Sequence, residues 1–267
     1  MTATAPPSRQ PAIRPQPGGA AATGVGDAAL LVGTRVMLWL GVQLVLAGLL
    51  VLGGGAAIGQ ALDAAAAWWM VYGALVDLGT LGVIVWLLRR GGRAYRSLLG
   101  PSAAAWQVAV GALGVLAASV PAMALGAEVN AAVYPDAAPP MFAVVDLPPA
   151  ASAFSVLVMP LLAELAEPVA YLGVILPRLE QRLGRPWLAA AVVVAVWAAE
   201  HSVFPLLSSG DGLDLGFAAY RVVSVLPFLA TWTAAYYALG RRLLPIMAAR
   251  WVLNGGTALA LALDLAG

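Results

Sequence analysis

Runs of about 20 apolar residues recur along this chain, separated by breaks that carry charge, Pro or Gly. A run of that length is what an α-helix needs to cross the hydrocarbon core of a bilayer. Seven can be counted, near 33–56, 65–88, 104–126, 152–176, 187–205, 219–239 and 244–264. Composition agrees: 62% of the residues are apolar and 10% charged, whereas soluble domains carry about 25% charged residues. The expected fold is all-α, a polytopic membrane bundle of about seven transmembrane helices. The fourth run is the least regular, with Pro160, Glu164, Glu167 and Pro168 inside it, and a re-entrant or broken segment there makes the count eight.

The first 27 residues are read as a disordered tail rich in Pro, Ala and Gly, and residues 28–267 as the helical membrane domain. The first apolar run begins too late and lasts too long for a signal peptide, so it is expected to be an uncleaved span. All 14 basic residues are Arg. Arg9, Arg14 and Arg35 precede or open the first span. Arg89, Arg90, Arg93 and Arg96 follow the second, Arg178, Arg182 and Arg185 the fourth, and Arg241 and Arg242 the sixth. These breaks alternate, and the intervening ones are acidic, with Asp63, Glu128, Asp136, Asp146, Asp211 and Asp214. The positive-inside rule then puts the amino terminus in the cytoplasm of a multi-pass plasma (cytoplasmic) membrane protein. Basic residues scattered over loops give no surface for nucleic acid. The absence of Cys removes disulfides, thiolate ligands and a cysteine nucleophile.

Charged groups inside a span cost at least about 2.5–3.5 kcal/mol each, so they require a partner or a purpose. Asp77 stands alone in the second span and reads as a helix-contact residue. Glu164, Glu167, Glu200, His201, Arg250 and Asn254 fall in spans four, five and seven. At about 1.5 Å per residue, Glu167 lies about 16 Å from Arg178, Asn254 about 18 Å from Arg242 and His201 about 24 Å from Arg185, which brings three helices' polar groups to overlapping depth. Glu164 and Glu167, Trp197 and His201, and Arg250 and Asn254 each share a helix face. Two readings fit. One is a dry pocket in which a carboxylate and an imidazole hold a metal or activate water. The other is an interhelical clamp, with Glu167 paired to Arg250 and Asn254 bonded to His201.

Local sequence adds a resemblance over residues 160–258. Glu167-Pro-Val-Ala-Tyr-Leu-Gly173 and its basic continuation, Trp197-Ala-Ala-Glu-His201, and Arg250-Trp-Val-Leu-Asn254 after Pro245 resemble, in order and spacing, the three motifs of the CPBP intramembrane metalloproteases. This is the family of type II CAAX prenyl endopeptidases and bacteriocin-processing proteins. The resemblance implies that Glu167 is the water-activating catalytic Glu, His201 the second-motif histidine and Asn254 the third-motif amide, with Glu164, Glu200 and Arg250 in support. It also implies zinc or another divalent metal held by His201 and Glu167. The chain departs from the family where Pro168 replaces the second Glu, Leu172 the Arg and Arg250 the last His. Because a guanidinium stays charged and cannot ligate a metal, a chain without the metal is the alternative expectation.

The first expectation is therefore an intramembrane metallo-endopeptidase that hydrolyses a membrane-associated peptide or protein by Glu/His-activated water. The alternative is a non-catalytic member acting as a membrane binding or regulatory protein. A small transporter or proton pathway through Glu164, Glu167, Glu200 and His201 is a third reading, which the lack of internal repeats disfavours.

Overall fold

The computed structural model describes residues 24–133, 148–203 and 215–262, and these are helical with no strand among them. The tail expected over residues 1–27 lies outside them except at its end, where α1 (Val25–Gly54) begins. Then come α2 (Ile58–Ala67), α3 (Trp69–Arg90), a short 3-10 turn at Tyr95–Leu98 and α4 (Ala105–Val133). The second half holds α5 (Pro149–Leu157), α6 (Met159–Pro168), a π-helical stretch (Val169–Ile175), α7 (Leu176–Leu183), α8 (Pro186–Glu200), α9 (Leu215–Ala238) and α10 (Leu244–Ala262).

Among the described residues four segments are long and apolar enough to cross a membrane: Val25–Gly54, Trp69–Arg90, Ala105–Val129 and Pro149–Leu183. The apolar helix α8 is shorter, at 15 residues, which span about 22 Å against a hydrocarbon core of about 30 Å. The second expected run does not form one helix, because the backbone breaks at Trp68 between α2 and α3. The burial pattern is that of a chain surrounded by lipid. Leu52 is 87% exposed and Met37 69%, while Arg35 and Glu164 are each 2% exposed. Apolar side chains face outward and charges inward because lipid leaves a charge no other partner than protein.

The fourth span shows where proline interrupts a helical ladder. Pro160 has no N–H for the carbonyl four residues back, and the helix is interrupted at Val158 between α5 and α6. Pro168 repeats the defect, and the chain passes through the π-helical stretch before α7 resumes. Beside this interruption the Tyr95 hydroxyl donates to the carbonyl of Leu165; burial pushes that hydroxyl up to about 12, so it remains a donor. Gly184, at φ 63°, ends α7, and Pro186 opens α8 one residue beyond Arg185. This tight reversal lays α8 back along the preceding segment.

The core lies where the π-helical stretch meets α8, α9 and α10, with Tyr171, Leu172, Trp197, Leu229, Trp232 and Ile246 in one buried cluster. Around it α4 packs on α9 and α10, α1 on α3, and α3 on α6. On the Arg-bearing side, Gly100 at φ 86° lies so close to the turn between α9 and α10 that a Cβ there would sit 2.3 Å from the Arg241 carbonyl oxygen. Only glycine meets both demands.

Candidate functional site

Two buried polar clusters are built on this frame, and they meet at α8. The first was only half legible in the sequence. Arg35, expected among the cytoplasmic breaks, lies buried within α1. Its Nη1 donates to Asp77 of α3 at 3.0 Å and to Thr80 at 3.1 Å, and its Nε donates to Glu200 of α8 at 2.7 Å. Asp77 is thus not solitary, and Arg35 leaves the set of loop charges. The reason is pairing: with a carboxylate on each of two neighbouring helices, a guanidinium can be held at depth. Glu200 also accepts from Trp39 Nε1 at 3.2 Å and from the Tyr171 hydroxyl. Its side chain therefore joins α8 to α1 and to the π-helical stretch, and Glu200 is not among the residues lining the cavity that His201 faces.

The second cluster contains the motif residues. Arg250 of α10 donates from Nε to Glu164 and from Nη2 to Glu167, each at 2.7 Å. One edge of the guanidinium thus bridges both carboxylates of α6, whose i, i+3 spacing presents them side by side. The other Glu164 oxygen accepts from Asn254 Nδ2 at 2.7 Å, and the other Glu167 oxygen accepts from Trp197 Nε1. Asn254 is therefore bonded to Glu164 and not to His201, a correction to the expected clamp. One turn apart on α10, Arg250 and Asn254 grip the same carboxylate. The Arg250 guanidinium also lies 4.3 Å from the Trp232 ring centroid and 5.2 Å from that of Trp197, within cation–π range. Trp197 is in turn stacked on Tyr171, with centroids 4.7 Å apart and planes at 9°. Trp197, in the sequence a stand-in for a motif Phe, supplies an N–H that Phe lacks; only that chemical difference signals its role.

His201 closes the last turn of α8. Its Nδ1 lies 2.9 Å from the Trp197 carbonyl oxygen, an acceptor only, so Nδ1 carries the proton. Nε2 lies 3.6 Å from the Glu167 Oε1. In the neutral ring Nε2 presents a lone pair to a carboxylate, an arrangement that suits an intervening donor more than direct contact. Glu167, His201, Arg250 and Asn254 all line one cavity of about 400 Å³, whose apolar wall includes Met159 and Phe228. Its size falls within the roughly 300–1,000 Å³ of small-molecule sites.

The metal that the motifs imply does not suit this donor set. Each oxygen of Glu164 and Glu167 already accepts from Arg250, Asn254 or Trp197, and a divalent cation would sit against a guanidinium of the same sign. Among the described residues no three His, Cys, Asp or Glu side chains form a ligand group.

No curated protein and no solved structure matches the chain. A family model does, over α5 to most of α10, the segment that carries the carboxylates of α6, the Trp197 and His201 of α8 and the Arg250 fork. Residues 149–256 match the family model described as type II CAAX prenyl endopeptidase Rce1-like, consistent with the CPBP family that the three motifs resemble.

Proposed function

We propose that this is a CAAX-protease-like membrane protein that binds a membrane-embedded peptide or protein segment in the cavity beside Glu167 without hydrolysing it. The observation that carries the reading is the Arg250 fork, bonded at 2.7 Å to both Glu164 and Glu167. The fork and Trp197 each take one lone pair on an oxygen of Glu167, so the carboxylate is engaged in holding α8 and α10 and is not the open, unpaired group that a general base presents to water. The same guanidinium supplies the positive charge that a metal would otherwise give the site. In this reading seven helices cross the cytoplasmic membrane with the amino terminus inside, and α8, the shortest, ends at the cavity. The expected result for protein purified in mild detergent is substoichiometric zinc and no Glu167-dependent cleavage of prenylated or transmembrane peptides. The metallo-endopeptidase reading keeps one supporting observation, the 3.6 Å approach of His201 Nε2 to Glu167. One zinc per chain together with cleavage abolished by Glu167→Gln would establish it in place of the binding protein.

A further inference from the structure

The arginine-bearing end of the bundle holds more positive charge than its own carboxylates offset. Among the described residues, nine arginines after α3, on α7, before α8 and between α9 and α10 face two carboxylates, Asp27 and Glu180. Both carboxylates are taken. Arg178 donates to Asp27 at 3.3 Å, and Glu180 accepts from Arg241 Nη1 and Nη2 at 2.7 and 2.9 Å and from the Tyr237 hydroxyl at 2.7 Å. Arg93 lies on the turn after α3, and Arg182 lies one helical turn beyond Arg178 on the same face of α7. Both are exposed, and among the described residues neither has a carboxylate within ion-pair distance. Arg93 also stands close enough to Arg178 for the two guanidinia to repel. Three like charges thus gather around one carboxylate where the end of α3 meets α7, and an anion that reaches the two exposed ones is favoured there.

The level of this junction says what brings the anion. Trp86 in the last turn of α3, Trp106 in the first turn of α4 and Trp187 beside Arg185 are all exposed, and the Arg90 guanidinium lies 5.1 Å from the Trp86 ring centroid. Exposed tryptophans at the ends of apolar helices mark the headgroup layer of a bilayer, so the arginines stand where lipid phosphates stand. We infer that Arg93 and Arg182 form a headgroup site for an anionic glycerophospholipid, its phosphodiester held between the two guanidinia and its acyl chains in the surrounding bilayer. Basic clusters next to a span attract acidic lipids in this way. A zwitterionic lipid brings an ammonium with its phosphate and offsets less of the surplus. The two arginines are not among the residues lining the cavity beside Glu167, so the site is independent of what that cavity holds.

The test uses the full-length protein in a neutral detergent. It is mixed with equal amounts of phosphatidylglycerol and phosphatidylcholine carrying the same acyl chains, and the retained lipid is counted by native mass spectrometry. The expected result is a preference of roughly fivefold or more for phosphatidylglycerol, falling to near parity when Arg93→Gln and Arg182→Gln are combined. Arg96→Gln combined with Arg185→Gln removes the same charge from exposed positions at the same end, neither of which bears on Arg178, and should keep most of the preference. Glycerophosphoglycerol, the same headgroup without chains, should not displace the lipid at equal concentration. All forms should unfold at the same temperature in lipid-free detergent, because the substituted side chains are exposed. If the Arg93 and Arg182 double variant does not fold, the two single variants decide, each expected to lose part of the preference. Equal retention of the two lipids would overturn the site. So would equal losses from both double variants, which would leave only the diffuse field of this end, and so would displacement by the soluble headgroup, which would make the occupant a free phosphate ester.

Discussion

At Arg250 a single side chain bridges two carboxylates, covers a tryptophan face on Trp197 and another on Trp232, and keeps a spare donor. Removing it strands Glu164 and Glu167 in a buried site. Arg250→Ala should therefore lower stability by about 3–5 kcal/mol, the cost of deleting one partner of a buried ion pair, read as a fall in the thermal unfolding midpoint in detergent. Arg250→His has a different expected outcome. An imidazole at that position no longer repels a cation and adds a third nitrogen or oxygen donor to Glu167 and His201, so bound zinc should rise toward one per chain by elemental analysis. No gain of metal would mean that the fork is not what keeps the cation away. Much of this cluster was legible in the sequence, because helical spacing puts Glu164 with Glu167 and Arg250 with Asn254 on common faces. The partner of Asn254 was not, since depth along a helix does not determine rotation about its axis.

Between elements, Arg35 ties α1 to both α3 and α8 through Asp77 and Glu200. The sequence misreads it for a physical reason. An Arg ten residues into a helix that starts at Val25 has the same composition signature as one at the end of a span that begins later, and only the helix start separates the two. Arg35→Met should destabilise the bundle. Arg35→Met combined with Asp77→Leu and Glu200→Leu should recover most of the loss, because replacing a whole buried ionic group by apolar side chains is often neutral or stabilising, while breaking one is not. Thermal unfolding of the single and triple variants checks this, and a triple variant no better than the single would show that the cluster adds more than mutual neutralisation. Gly100→Ala, at the contact with the turn between α9 and α10, should cost about 1–3 kcal/mol from the left-handed backbone alone. The broken fourth span was legible from its prolines. The split at Trp68 was not, since no proline or glycine marks it.

Across the whole molecule, apolar outer faces and buried charges agree with the membrane class that composition implies. The proposed sidedness rests on the remaining Arg breaks at 89–96, 178–185 and 241–242. The chain has no Cys, so single cysteines can report on it without background. Arg93→Cys should be shielded from an impermeant thiol reagent in intact cells and Gly212→Cys should be labelled. Equal labelling of both would reverse or abolish the proposed orientation. The number of crossings was the least legible property, because α8 is apolar yet shorter than the hydrocarbon core and its length alone does not tell a crossing from a dip.

The three-helix junction at Arg35 also sets an order of events during biosynthesis. Asp77 lies 42 residues after Arg35 in the chain and Glu200 lies 165 after it. At ~5–20 residues per second, the two carboxylates emerge about 2–8 s and about 8–33 s after the guanidinium. The nascent α1 therefore enters the insertion machinery carrying a naked cation, gains its first counterion when the α3 hairpin arrives, and is completed only when α8 docks. A ribosome stalled between Asp77 and Glu200 should hold an early hairpin that is inserted and charge-neutral while the remainder of the bundle does not yet exist.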